Sequence, residues 1–314
     1  MEIVVRQISG LGNQLFQYAA GRYYARKFGA ELRIATDLES RAESYGYPRP
    51  FLLRKFAISA PSREITSMER LLLSEDPRLL PVSAVARKVL RTQIIREPWL
   101  ERYTFHSELP VHKKAQTIFL LGYWQVHSLA DAIASELRAE FSLIEPAQGP
   151  NLDMLIRIQR AHHPVSVHIR RGDYTLSAEG NAALPMSYYL HCIRIMQERL
   201  GGEPTFFVFS DDIGYAREYL PRDADLVFVD HNDAFSAHQD LRLMSLCHHH
   251  IIANSTMSWW GAWLNPRAGK IVLAPKHWRV GGATESPDLI PREWILVDDA
   301  MAEVPVSGFA PSES

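Results

Sequence analysis

The sequence has little cysteine: Cys192 and Cys247 are the two in 314 residues. Two cysteines make no disulfide framework, and their spacing fits no CxxC site. A reducing compartment is the expected setting. No stretch of about 20 apolar residues occurs, so no transmembrane helix is expected. In the opening MEIVVRQISG, Glu2 and Arg6 break the apolar run short of a signal-peptide core. The expectation is a soluble, cytoplasmic protein. An excess of one charge is missing too: 34 Lys and Arg against 36 Asp and Glu give a net charge of −2. A dedicated nucleic-acid binder carries a basic surplus, so no nucleic-acid partner is expected. GxSxG, P-loop and HExxH patterns are absent as well, and nothing points to a serine hydrolase, a kinase or a zinc protease. What is present is 46 % hydrophobic and 22 % charged residues, the shares of a globular chain with a sizeable core. The length suits two domains or one large α/β unit.

The two halves read differently. The first opens with a strand over 2–8, a glycine turn over 9–13 and a helix over 14–28, then a strand over 31–36. From 37 to 115 the pattern loosens. A strand at 117–121 ends in GYWQ, and a helix is predicted over 128–141, with Ser128 and Asp131 placed as an N-cap signature. EPAQGP (145–150) reads as the interdomain linker. The second half alternates cleanly, with strands at 164–169, 205–209, 225–229, 250–253 and 270–274. Helices are predicted at 187–200, 213–220, 237–247 and 256–264. Such alternation means a parallel, doubly wound sheet with helices on both faces.

In an open parallel sheet ligands bind at the carboxyl ends of the strands. The residues that follow the five strands are Arg170-Arg171-Gly172-Asp173, Ser210-Asp211-Asp212, Asp230-His231-Asn232, Asn254-Ser255-Thr256 and Pro275-Lys276. Anion-binding and hydrogen-bonding side chains therefore collect on one edge, as in a nucleotide-binding domain. In HIRRGDY (168–174) two guanidiniums stand beyond a buried strand, and their planar forks match phosphate oxygens. The plain reading, a surface salt bridge, is outweighed by that location. RGD as an adhesion motif needs an exposed extracellular tip and does not fit.

NSTMSWWGAW (254–263) is first of all a capped helix, and a helix N-terminus also binds phosphate. Trp259, Trp260 and Trp263 are expected to pack the helix on the sheet. ISGLGNQLFQ (8–17) approaches GxGxxG through Gly10 and Gly12 but has Leu15 at the third position, which weakens a dinucleotide reading. CHHH (247–250) cannot turn three successive histidines to one metal. Asp223-Ala224-Asp225 matches the DxD pattern of metal-dependent sugar transferases, but it lies before its strand, on the opposite edge. No metal site is expected.

Taken together, SGLGNQLFQYA, GYWQ, HIRRGDY, FSDD (209–212) and NSTMSWWGAWL resemble the bacterial α-1,2-fucosyltransferases in order and rough spacing, over about residues 1–300. That resemblance implies an α/β, GT-B-like fold: two Rossmann-like domains with a cleft between them. An acceptor-side domain would span 1–148, a GDP-fucose-binding domain 149–302, and 303–314 would be a flexible tail. It implies inverting transfer from GDP-β-L-fucose to O2 of a terminal galactose, with no cofactor and no metal. The partners would be the nucleotide sugar and an oligosaccharide or glycolipid acceptor such as an O-antigen unit, with peripheral association at the inner membrane. Carried over by position, Arg170 grips the diphosphate with Arg171 assisting, His168 faces the guanine side and Asp230 accepts from guanine nitrogens. Asn254, Ser255, Thr256 and Ser258 cradle phosphates, while Gly10, Gly12 and Asn13 close over the donor. For the acceptor hydroxyl the base stays open between Asp173 and Glu179. Tyr123 and Trp124 are candidates for stacking on the acceptor sugar, with core packing as the alternative. Competing readings are a fucosyltransferase of another linkage, a nucleotide-dependent oxidoreductase using the N-terminal glycine turn, and a non-catalytic lectin.

Overall fold

A computed structural model describes residues 1–37, 49–98, 103–172, 183–278 and 288–298. The chain forms two compact units. The first holds Met1–Gln148 together with Asn232–Arg242 and Glu285–Pro291, of which the last is described from Asp288 onward; the second holds the remainder. The expected division was contiguous, so the return of two later segments to the first unit is a departure from it.

The first unit starts with β1 (Glu2–Gln7), whose Ile3, Val4 and Val5 are fully buried. Burial on both faces of such a strand is the mark of a parallel sheet. α1 (Leu11–Phe28) ends at Gly29, which takes the left-handed conformation (φ 59°) and donates back to Ala25 and Arg26 carbonyls. Then come β2 (Glu31–Thr36), β3 (Ser62–Glu64), α2 (Ser67–Leu72), α3 (Leu80–Val89), β4 (Thr92–Arg96), β5 (Thr117–Leu121), α4 (His127–Ala132) and α5 (Ala134–Glu140). The five strands are all parallel, in the order β3-β2-β1-β5-β4.

The second unit contains α6 (Gly149–Arg160), β6 (Val165–Ile169), α7 (Met186–Leu200), β7 (Phe206–Ser210), α8 (Ile213–Tyr219) and β8 (Leu226–Val229). After α9 (Ala237–Leu246) follow β9 (His249–Ile251), α10 (Thr256–Leu264), β10 (Val272–Pro275) and β11 (Ile295–Val297). Six parallel strands run in the order β11-β10-β9-β6-β7-β8. One face packs Val165, Val167, Phe206 and Val208 against Tyr188, Tyr189 and Met196 of α7. The other packs Phe207, Phe209, Val227 and Val229 against Ile158, Leu243 and Met244. The α/β class with wholly parallel sheets is thus as expected. Trp259 and Trp260 are fully buried, with ring centroids 4.9 Å apart, in the packing role read for them.

Several elements differ from the sequence reading. α1 starts at Leu11 rather than Gln14. The helix expected over 128–141 is broken at Ile133 (φ −130°, ψ 32°), and Asp131 binds His127 Nδ1 at 2.7 Å instead of completing a cap. α6 takes the last two residues of the supposed linker, and β11 is a sixth strand. The CHHH histidines diverge, as the strand alternation requires. His250 lies between Ser166 Oγ (2.8 Å) and Asn265 Nδ2 (2.9 Å), while His249 Nδ1 accepts from the Ile271 amide. Among the described residues no three His, Cys, Asp or Glu side chains group as metal ligands.

Gly21 sets the approach of α1 to its sheet. A Cβ there would stand 2.2 Å from Val5 Cγ2 and 2.8 Å from Leu32 Cδ1. A helical Gly→Ala change gains about 1 kcal/mol of propensity, but overpacking of a buried seam costs roughly 1–3 kcal/mol. We expect Gly21→Ala to lower the thermal midpoint, and a calorimetric scan against the unsubstituted chain checks it.

Candidate functional site

The second sheet changes direction once. In the second unit the chain runs β6 to β7 to β8 outward on one side, then returns to place β9, β10 and β11 on the other. The switch point lies between β6 and β9, and this is where an open α/β sheet leaves a crevice at its carboxyl edge. Arg170-Arg171 leaves β6 there, and Asn254-Ser255-Thr256 leaves β9 beside it. The first unit is wound differently: after β1, β2 and β3 the chain crosses to the far edge at β4 and returns inward to β5, so the carboxyl ends of β1 and β5 lie side by side, and α4 after β5 packs beside α1. The Ser9–Asn13 turn and the GYWQ turn (122–125) sit at that edge.

At the β6 edge the two arginines are fixed by β7. Arg170 Nη1 lies 2.8 Å from Asp211 Oδ2, and the Arg171 amide donates to Asp211 Oδ1 at 2.8 Å. The Arg171 side chain turns the other way, with Nε 3.2 Å from Asp212 Oδ2 and its guanidinium 3.4 Å above the Tyr215 ring. That is close enough for a cation–π contact. Gly172 is required by this packing, since a Cβ would come within 2.5 Å of Asp211 Oδ2. The sequence places Asp211 and Asp212 at the carboxyl edge and in the FSDD motif without giving them a role, and Tyr215 has none there. Their signal was position, at the carboxyl end of the strand next to β6.

His168 is buried on β6, and its Nδ1 has no hydrogen-bond partner among the described residues. Burial pushes its imidazole down to about 4; Asp211 opposes the fall and Arg170 reinforces it. The ring is therefore neutral near pH 7. Beyond β9, Asn254 is buried and donates to the Trp278 carbonyl at 3.4 Å. Ser255 is the N-cap residue of α10, Thr256 opens the helix, and Ser258 Oγ donates to the Ser255 carbonyl at 3.2 Å. Among the described residues no side chain caps this first turn, and no acidic residue stands in it. The positive end of the helix is thus left without a carboxylate or a side-chain cap of its own. Asp230, read as a guanine acceptor, instead pairs with Arg217 Nη2 at 2.6 Å on the surface. Asp225 of the DxD sequence accepts from Thr205 Oγ1 at 2.7 Å on the amino edge, a turn contact.

In the first unit the glycines do less than expected and the glutamines more. Gly10 is extended (φ −77°, ψ 173°), a conformation open to any residue; the left-handed residue of the turn is Ser9 (φ 68°). Gly12 and Asn13 lie in the first turn of α1. Asn13 donates to Ser9 Oγ at 3.0 Å and accepts from Gln125 Nε2 at 2.7 Å. Gln17 accepts from the Ile8 amide and donates to the Gly122 carbonyl, and Gln14 spans Ser9, Pro50 and Leu52. Buried Gln17 and Gln125 therefore clamp the Ser9–Asn13 and GYWQ turns together, while Gln14 ties the first of them to Pro50 and Leu52. Trp124 also takes a left-handed conformation (φ 55°), and its amide and that of Tyr123 both donate to Glu97. Non-glycine residues held so cost on the order of 1–3 kcal/mol each and cluster at functional sites. Trp124 is 4 % exposed and packs edge-on against Tyr24, so as an acceptor-stacking face it is corrected to core. Tyr123 is half-buried. Asp173 and Glu179 lie outside the described residues.

The second unit, an all-parallel sheet with polar side chains gathered at its switch point, has the build of a doubly wound ligand-binding domain. The chain belongs to glycosyl transferase family 11, whose family model matches residues 3–298. It is 30 % identical over 309 residues to an alpha-1,2-colitosyltransferase of Escherichia coli, covering 94 % of this chain and 99 % of that protein. It is 30 % identical over 286 residues to the O-antigen biosynthesis glycosyltransferase WbnK of Escherichia coli, covering 87 % and 93 %. With galactoside alpha-(1,2)-fucosyltransferase 1 of Bos taurus it shares 28 % over 199 residues, 59 % of this chain and 55 % of the other. The resemblance read from the motifs thus holds at the level of the family.

The buried imidazole gives a pH prediction. The unfolded chain protonates His168 near pH 6.5, the folded chain only near 4, so stability is full above about 6.5 and falls as pH drops toward 4. The shift corresponds to roughly 3 kcal/mol from this residue. His249, held down to about 4 chiefly by burial, acts in the same direction. Urea midpoints measured from pH 7 to pH 4 should fall, and less steeply in His168→Gln.

Proposed function

We propose that this glycosyltransferase moves L-fucose from GDP-β-L-fucose to O2 of a terminal galactose, inverting the anomeric centre and using no metal ion. The observation that supports this most is the Arg170–Asp211 pair at the switch point of the second sheet, one strand away from the first turn of α10. As the bond from fucose C1 to the β-phosphate oxygen breaks, the leaving GDP gains negative charge. Arg170 and the α10 amides would stabilise that charge, in a setting organised by Asp211, and Arg171 would assist on leaving Asp212. The acceptor O2 attacks C1 from the opposite face, and its proton passes to a base. Asp173 is our candidate for that base, from its place in the HIRRGDY motif. Neutral His168 offers the guanine side a hydrogen-bonding nitrogen, and Asp230 reaches guanine on giving up Arg217. In the first unit the Ser9–Asn13 turn is our candidate for contacts to the nucleotide sugar and Tyr123 for contacts to the acceptor glycan, an oligosaccharide or glycolipid.

The galactoside relative from Bos taurus supports the linkage and the acceptor. The Escherichia coli colitosyltransferase supports a second reading, in which the sugar moved is colitose. GDP release with each nucleotide sugar, against lactose and other β-galactosides with EDTA present, separates the two. Linkage analysis of the product should find the new sugar on O2 of galactose; fucose on another oxygen contradicts the reading.

Losing a preorganised charged donor costs on the order of 3 kcal/mol, about a hundredfold or more in rate. Arg170→Ala is expected to lower kcat at least that far while the chain stays folded by circular dichroism. Near-normal turnover contradicts the assignment. Asp211→Asn keeps an acceptor for the Arg171 amide but removes the charge that orients Arg170, and should cost about tenfold in kcat/KM.

A further inference from the structure

α3 is built inside out. A helix on a globular protein normally turns its apolar stripe to the core, yet the one buried side chain of α3 is Ser83. Val82, Val85 and Val89, at i, i+3 and i+7, stand 54 %, 64 % and 73 % exposed. Leu79, Leu80 and Leu90 at its ends are exposed as well. Six of the fourteen exposed large apolar side chains among the described residues thus fall within Leu79–Leu90. Scattered exposed apolar residues need no explanation, whereas a contiguous patch rimmed by polar groups marks an interaction surface.

Beyond the Asp76 that precedes it, the helix carries charge of one sign. Residues 77–91 carry Arg78, Arg87, Lys88 and Arg91 with no acid, in a chain whose net charge is −2. Arg78 is held by Asp76 and Arg87 by Ser83. Lys88 and Arg91 are exposed and form no ion pair among the described residues. The Gln116 amide donates to the Arg91 carbonyl at 2.8 Å, so the turn before β5 lies at this end of α3 and brings exposed Lys113 and Lys114.

We propose that this face of the first unit docks on an anionic lipid bilayer, the valines entering the headgroup boundary and the four cations meeting lipid phosphates. An apolar stripe combined with a polybasic patch is the two-signal arrangement that reversible surface binding requires. No helix among the described residues is long and apolar enough to cross a membrane, so the helix would lie in the interface. The charge decides against a second copy as the occupant, because a two-fold contact through this face sets each cation against its own kind. The docking does not depend on which sugar the enzyme transfers.

Co-sedimentation of the full chain with phosphatidylcholine vesicles, with and without phosphatidylglycerol, tests this. Binding should need the anionic lipid and weaken with salt. Val85→Gln/Val89→Gln should lose at least about tenfold in partitioning; glutamine outranks valine as a helix former, so the helix persists. Lys113→Ala/Lys114→Ala should lose about tenfold or more. Both variants should keep the melting temperature and the rate on a soluble acceptor. Absence of binding to anionic vesicles overturns the proposal, as does binding that neither variant weakens. A wild-type dimer in sedimentation that the valine variant converts to monomer also overturns it and assigns the face to a second copy. Failure of GDP-fucose turnover would leave these vesicle outcomes untouched.

Discussion

The ion pair between Arg170 and Asp211 is the contact around which the second unit's site is arranged. Two adjacent arginines at the end of a buried strand repel each other and, left alone, would point into water. One half-buried carboxylate resolves this by accepting from the Arg170 guanidinium with one oxygen and from the Arg171 amide with the other. The same carboxylate excludes any side chain at position 172. Arg170 is thereby oriented by a contact within the chain itself, which is what electrostatic catalysis demands: charge placed in advance costs no reorganisation at the moment of reaction.

The first unit reaches an equivalent order by other means. There a set of buried amides joins the Ser9–Asn13 turn to the GYWQ turn. Gln17 joins the end of β1 to the Gly122 carbonyl, and Gln125 holds Asn13. These bonds keep Ser9 and Trp124 in left-handed conformations that such residues rarely adopt. Strain of this kind persists only where the surroundings over-determine it.

How much of this was legible depended on whether a periodic signal carried it. The strands of the second half are β-branched runs bounded by polar residues, so five of them were placed within two residues. α10 was read with the same bounds it has in the structure. The edge bearing Arg170 followed from strand order alone. The region from 37 to 115 was opaque for physical reasons. β3 is three exposed polar residues, and α3 turns valines outward and serine inward, against the rule by which helices are recognised. α2 did carry a signal, the capping box of Thr66 and Glu69, which went unread among the scattered prolines and basic residues. The glutamine clamps were hidden because an amide's partners are set by tertiary approach. Trp124 misled in the opposite way: a tryptophan in a turn suggests a sugar platform, while the left-handed backbone carries its ring into the core.

The central claim is that the switch point of the second sheet is prebuilt for a diphosphate. A crystal structure of the chain soaked with GDP tests it most directly. The account predicts diphosphate oxygens roughly 3 Å from the Arg170 guanidinium and the first-turn amides of α10, at ordinary hydrogen-bond distance. GDP bound instead at the Ser9–Asn13 turn, with no phosphate oxygen near Arg170, would contradict it.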